Sequence, residues 1–395
     1  MTYLEAAKEA YREMLVKWDN MAPVIGPDPP PDSFWITGNT FNAFLDYWIC
    51  THQSPVQDIT MPIIDYFHKT VKADATDDDL EKLAEKGLKG LKGGLWLDDY
   101  GWWGNAFLTG WENADVLGFS GDDVAMCKQS TINCWKIMKY GWDTKNTPPV
   151  PGGVWNCQKG DWRLTGRNTV TNSVFWLMSV RLVALTDDSQ YLDPNSLQWF
   201  ENGCADGLAK CRLFDPIYTV RERFIGEHDW DKAPGFYWVG DQGLFLRCLF
   251  EEKRSMQSDF AQLKTKIVDA VLNNMVDNQH VIHDHTMPTG DLSQFDNDYA
   301  TGKGVFIRHA LKIVQLTNNQ QLKDCIMASA NFAWNTSIEH YFQFCWNTKG
   351  TLPPGNWDTT YKGDDPSPFR TVILQASGLD AISAAAALSP SGVIP

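Results

Sequence analysis

The strongest constraint on this chain is its alternation of helical patterns with long irregular loops, the long loops recurring after every second helix. Apolar residues at three- and four-residue spacing predict helices over 5–18, through Phe44, Leu45 and Trp48 (capped by Asn39 or Thr40), and over 55–68. A short helix follows Asp77, and further ones run over 98–116, 122–140, 169–185, 191–208, 241–252, 260–275, 304–316, 322–342 and 369–388. The loops near 143–166, 211–238, 278–301 and 347–367 are rich in Trp, Asp and Gly. Irregular stretches of that length in a compact domain usually carry function. Paired helices closed into a ring would put all of them on one face. Strand patterns are confined to 217–224 and, weakly, 280–285. The expectation is an all-α protein, with residues 1–395 forming one domain.

Charge narrows the partners. Lys and Arg number 34 against 49 Asp and Glu, a net charge of −15 with no compensating basic block. Nucleic acid and anionic membrane surfaces are therefore poor partners. Tryptophan is abundant, 18 residues in 395, and its flat face suits the apolar face of a sugar ring. An acidic, Trp-rich chain points to a neutral glycan. Met1 to Glu5 shows no basic segment leading into an apolar run, so no signal peptide is visible. A cytoplasmic location is expected if Met1 is the native start, and a secreted or envelope one if a leader has been removed. No apolar run reaches the roughly 20 residues of a membrane span, and a monomer is expected. Cys204 and Cys211, like Cys127 and Cys134, are seven apart inside helical patterns. That spacing separates each pair by about 10 Å along a helix, too far for a disulfide.

The sharpest local feature is Trp96-Leu97-Asp98-Asp99-Tyr100-Gly101-Trp102-Trp103, preceded by Gly93-Gly94. Adjacent aspartates elsewhere (122–123, 187–188, 364–365 and the triple at 77–79) read as first-turn caps or solvated loop. Asp98 and Asp99 differ because aromatic rings wall them in, and charge in such a setting is costly unless it is used or paired. Free N–H groups at a helix start would hold one carboxylate ionised, and the aromatic wall would raise the other's pKa. Glycoside hydrolysis with retention needs that division, with two carboxyls about 5 Å apart.

Taken with four further blocks, this motif resembles glycoside hydrolase family 76, the endo-α-1,6-mannanase-like enzymes. The blocks are Gly141-Trp142-Asp143 with Gly152-Gly153-Val154-Trp155, then Arg167-Asn168-Thr169-Val170-Thr171-Asn172-Ser173, then Trp238-Val239-Gly240-Asp241-Gln242-Gly243, then Lys303-Gly304-Val305-Phe306-Ile307-Arg308. The resemblance runs from about residue 35 to the C-terminus. It implies an (α/α)6 barrel with long loops lining a cleft, Asp98 as nucleophile, Asp99 as general acid/base, and α-1,6-linked mannan or mannooligosaccharides as substrate. Leu97, Arg167, Ser173 and Gly240-Asp241 depart from the family pattern of Trp, Lys, Glu and Tyr-Asn.

Candidate substrate contacts are Trp35, Trp102, Trp103, Trp142, Trp155 and Trp238 as stacking platforms. Asn168 and Asn172, one helical turn apart, are further candidates, as are Asp241, Gln242 and Arg308. Each has a structural alternative: packing, capping, or for Arg308 a buried ion pair. His283-Asp284-His285 suggests a metal, but no third ligand has convincing spacing. No nucleotide-binding loop, dinucleotide glycine pattern or Gly-x-Ser-x-Gly is present, so neither cofactor nor metal is expected. A noncatalytic glycan-binding protein would need the platforms without the aspartates. A sugar epimerase on a helical barrel would use His or a metal instead.

Overall fold

The computed structural model describes residues 1–21, 33–91, 94–145, 147–158, 166–224, 237–283, 296–337 and 368–394. Its first helices are α1 (Tyr3–Met21), α2 (Ser33–Thr51), α3 (Gln57–Thr70), α4 (Asp77–Leu88) and α5 (Leu97–Glu112). Next come α6 (Ala114–Leu117), α7 (Gly121–Tyr140), α8 (Thr169–Thr186), α9 (Ser196–Gly203) and α10 (Val239–Glu251). The last are α11 (Ser258–Ala261), α12 (Leu263–Asn274), α13 (Asp296–Thr317), α14 (Gln320–Thr336) and α15 (Pro368–Leu388).

Six of these close on themselves. Helix α2 packs on α5, α5 on α8, α8 on α10, α10 on α13, α13 on α15, and α15 back on α2. The others form an outer layer: α1 covers α15 and α2, α7 covers α5, α9 covers α8, α12 covers α10, and α14 covers α15 and α13. Chain order alternates between the layers, so the fold is the (α/α)6 barrel expected from the sequence.

Inner helices touch protein on every side, and their composition shows it. In α8 every residue from Thr169 to Leu182 is buried. That helix is long and apolar enough to cross a membrane, yet 78% of it is buried within the protein. A helix apolar all round suits the centre of a large protein. Outer helices are two-faced instead. Helix α4 buries Leu80, Ala84, Gly87 and Leu88 and starts at Thr76, whose hydroxyl accepts the Asp79 N–H. Ser120 caps α7 in the same way.

Connections leaving the inner helices are short: residues 52–56 after α2 and 318–319 after α13. Those entering them are long, such as 141–168 before α8 and 204–238 before α10. The described parts of the connections entering α8 and α10 therefore lie at the N-terminal mouth of the inner ring.

Four expectations need correction. Asn39 and Thr40 lie inside α2, which starts at Ser33, because the residues before them are as buried as those after. The 191–208 helix is broken: a 3-10 turn ends at Leu192, Pro194 interrupts, and α9 spans only Ser196–Gly203. Residues 217–224 and 280–283 make isolated bridges, Phe214 with Val220 and Val276 with Ile282, instead of strands. Cys204 and Cys211 form a disulfide with Cα atoms 4.4 Å apart, because α9 stops at Gly203 and the chain turns back. The helix expected over 322–342 runs to Thr336, and residues 338–342 lie outside the described residues.

Candidate active site

Asp98 and Asp99 stand on the first turn of α5, at the mouth of the ring. Helix α5 can sit deep because Gly101 and Gly104 have no side chain. A Cβ at Gly101 would lie 2.3 Å from a Val174 methyl, and one at Gly104 would lie 2.4 Å from the Met178 sulfur. The motif glycine is thus a packing requirement between α5 and α8.

The two carboxyls have unlike surroundings. Asp99 is buried, and its Oδ2 accepts the Trp96 backbone N–H at 3.1 Å. Asp98 holds Oδ1 shielded from solvent and without a hydrogen-bond partner among the described residues. Burial pushes its carboxyl up to about 7, against the pull of the backbone N–H groups of Asp98 and Asp99, and Glu222 adds to the rise. A carboxyl raised to about 7 next to a second buried carboxyl is a pair that acid–base catalysis can use.

Glu222 is a third acid at the site that sequence reading missed. It lies in the segment read as a strand, where an Arg-Glu-Arg run gave no sign of pointing inward. Its backbone carbonyl accepts the Thr169 N–H at 2.6 Å. Its carboxylate pairs with Arg223, whose Nη2 donates at 2.7 Å.

Two side-chain amides hold the mouth loops. Asn172 accepts the Val154 N–H at 2.7 Å and donates to the Val154 carbonyl at 3.0 Å. Gln242 does the same to Val220, with both bonds at 2.8 Å. Both amides are fully buried and so committed. Asn168 caps α8 by accepting the Thr171 N–H at 3.1 Å. These three therefore act as positioning residues. Arg167, fully buried, fixes the 143–153 loop by donating to Asp143, Pro148, Val150 and Gly152 at 2.6–3.1 Å. Its planar fork serves four acceptors at once, which a lysine could not match.

The tryptophans divide by burial. Trp103 is fully buried among Phe34, Phe41, Phe67 and Phe107, with its indole N–H on the Phe34 carbonyl at 2.8 Å. It belongs to the core and is withdrawn as a platform. Trp102 meets Trp238 edge-on with ring centroids 6.2 Å apart. Trp238 sits in a slot of two glycines, since a Cβ at Gly240 or Gly302 would come within 2.4–2.5 Å of its ring. The Gly240 departure from the family pattern thus makes room for this tryptophan. Trp35, at the start of α2, and Trp142 are partly exposed, and Trp155 lies under the Arg167 guanidinium at 5.0 Å. Trp96, two residues before Asp98, is 37% exposed.

Asp241 is fully buried on the first turn of α10. Arg308 lies deeper, lining a small recess with Asn39, Thr40, Thr301, Ser377 and Asp380. It donates to Asp380 at 2.8 Å and Asn39 at 3.2 Å and faces Asp46 at 3.2 Å, so its ion-pair reading is the one realised. His283 is bound to Asp277 at 2.9 Å, and Asp284 and His285 lie outside the described residues.

Residues 2–389 match the family model described as glycosyl hydrolase family 76. No curated protein matches the chain. Among solved structures, the GH76A α-1,6-mannanase of Salegentibacter sp. HEL1_6 superposes with a TM-score of 0.62 at 12% identity, covering 98% of this chain and 100% of that one. An inactive variant of that enzyme with two consecutive aspartates changed to asparagine, in complex with α-1,6-mannotriose, gives 0.60 at 13%, with 98% and 99% covered. Dfg5 from Chaetomium thermophilum, in complex with glucosamine, gives 0.68 at 15%, covering 98% of this chain and 90% of that one.

Proposed function

The chain belongs to glycosyl hydrolase family 76, and from that premise we propose that it hydrolyses α-1,6-linked mannan or mannooligosaccharides with retention of anomeric configuration. The observation that carries the reading is the Asp98–Asp99 pair on the first turn of an inner helix, its two carboxyls in unlike surroundings. Asp98 attacks the anomeric carbon while Asp99 gives a proton to the departing glycosidic oxygen, which leaves a glycosyl ester on Asp98. Asp99 then takes a proton from water, whose oxygen attacks the same carbon and frees Asp98. Trp102, Trp238 and Trp96 supply the stacking surfaces. The inactive double-aspartate variant of the Salegentibacter mannanase, bound to mannotriose, supports both the pair and the substrate class.

Asp98→Asn and Asp99→Asn should each lower turnover of α-1,6-mannotetraose by about 10²–10⁴-fold. NMR of the first product should show the α-anomer. Initial β-product would reject retention, and full turnover in both variants would reject the pair.

One observation favours a second assignment of roles. In the free protein Asp98 is the carboxyl raised to about 7, and Asp99 is the one bonded to an N–H. On these environments alone, Asp98 would be the acid and Asp99 the nucleophile. The pH profile separates the two.

A further inference from the structure

Arg221 stands apart from the other buried arginines of the described chain. Arg167, Arg181, Arg223, Arg247 and Arg308 each have a carboxylate within ion-pair range. Arg221 is 7% exposed, yet its Nε and Nη1 have no hydrogen-bond partner among the described residues. A guanidinium cannot shed its proton, so burial without a counter-charge is a standing cost.

The main chain of Arg221 is firmly placed. Its backbone N–H donates to the Leu213 carbonyl at 2.8 Å, and its carbonyl accepts the Thr169 hydroxyl at 2.6 Å. The guanidinium lies over the Tyr237 ring at 5.2 Å. The nearby carboxylates are engaged elsewhere. Asp215 Oδ1 accepts the N–H groups of Ile217 and Thr219 at 3.0 and 2.7 Å, and Glu222 pairs with Arg223.

The location is the α8–α10 flank of the active site. Tyr237 precedes Trp238, whose ring meets Trp102. Glu222, the next residue along from Arg221, is the acid that Asp98 senses. At a net charge of −15 the molecule repels anions at long range, so a cation unpaired among the described residues acts only on a group brought to it.

We infer that Arg221 binds an anionic substituent, a phosphoryl or carboxylate group, carried by the glycan that occupies the neighbouring site. A planar fork recognises either oxyanion through paired hydrogen bonds, and Tyr237 keeps its face out of water. This rests on the mouth being a glycan site, as proposed above.

Calorimetry on the full chain tests it, with methyl α-mannoside 6-phosphate, methyl α-glucuronide and neutral methyl α-mannoside as probes. At least one charged probe should bind ten-fold or more tightly than the neutral one, and the stronger of the two identifies the substituent. Arg221→Met, which keeps a stem against Tyr237, should remove that preference, and Arg221→Lys should retain part of it. Equal affinity for all three probes in the unmodified protein would overturn the inference, whether or not the variants fold. An undiminished preference in Arg221→Met would overturn it too. Hydrolysis of neutral mannosides without anion preference would defeat Arg221 alone. Anion preference without hydrolysis of any mannoside would defeat the hydrolase reading and leave Arg221 standing.

Discussion

Under the proposed function, the two role assignments for Asp98 and Asp99 lead to opposite pH profiles. As nucleophile Asp98 must be ionised, and its carboxyl is raised to about 7. The kcat/KM of the free enzyme should then climb as pH rises through about 7. If Asp98 were the acid, kcat/KM would fall over the same range, so a profile from pH 5 to 9 decides between them. Trp238 offers a second test at this scale. Its slot closes if Gly240 becomes Ala, because the new Cβ would lie 2.4 Å from the ring. Gly240→Ala should raise KM for mannotetraose about ten-fold, the equivalent of roughly 1.4 kcal/mol, and leave kcat less affected. Unchanged KM would mean that Trp238 does not touch substrate. The aspartates were legible in the sequence because their aromatic frame is local. Asn172 and Gln242 were legible as polar residues near helix starts, but not as clamps, because Val154 and Val220 are 18 and 22 residues away. Trp103 was misread because a buried and an exposed tryptophan look alike in a motif.

Among the elements, helix existence was readable and helix ends were not always. Helices α7 and α8 begin and end close to their predicted limits, with Ser120 and Asn168 supplying the caps at their starts. Helix α2 was mis-started because an inner helix has no polar face to mark its entry. The 217–224 segment is not a strand: Ile217 lies in a turn, Tyr218 takes a left-handed φ of 69°, and the rest pairs with the Gln242 amide and the first turn of α8 instead of a sheet. That dependence gives a prediction. Gln242→Ala would leave the N–H and carbonyl of Val220 unsatisfied in a buried place. It should cost about 2–4 kcal/mol in denaturant unfolding. Turnover should drop as well, because the same segment carries Glu222, whose charge raises the Asp98 carboxyl. A loss under about 0.5 kcal/mol would show that the segment is held by its own bridge alone.

At the scale of the whole ring, the six inner helices carry a layer of charge that no single element reveals. Helices α15, α2 and α5 bring Asp380, Asp46 and Glu112, and helices α8, α10 and α13 bring Arg181, Arg247 and Arg308. Arg308 bonds Asp380 at 2.8 Å and faces Asp46 at 3.2 Å, Arg181 pairs with Glu112 at 2.6 Å, and Arg247 faces its own helix's Glu251 at 3.4 Å. Apolar faces tolerate sliding, whereas slippage here would strand buried charges at about 3–5 kcal/mol each. His309 lies within this layer, 4% exposed, with neither ring nitrogen hydrogen-bonded among the described residues. Burial, then Arg247, Arg308 and Arg181, hold it well below its ordinary value, so it stays neutral in the fold. An unfolded chain takes up that proton as pH falls below about 6.5, and the folded one does not, so stability is lost on the acid side. Asp98, raised to about 7, acts in the opposite sense, holding a proton in the fold between about 4 and 7. Comparing the protein with His309→Gln at each pH cancels its effect. Relative to its standing at about pH 7.5, the variant should gain about 2 kcal/mol on the unmodified protein at about pH 5, read by urea unfolding. Parallel pH curves for the two proteins would show that His309 is protonated within the layer.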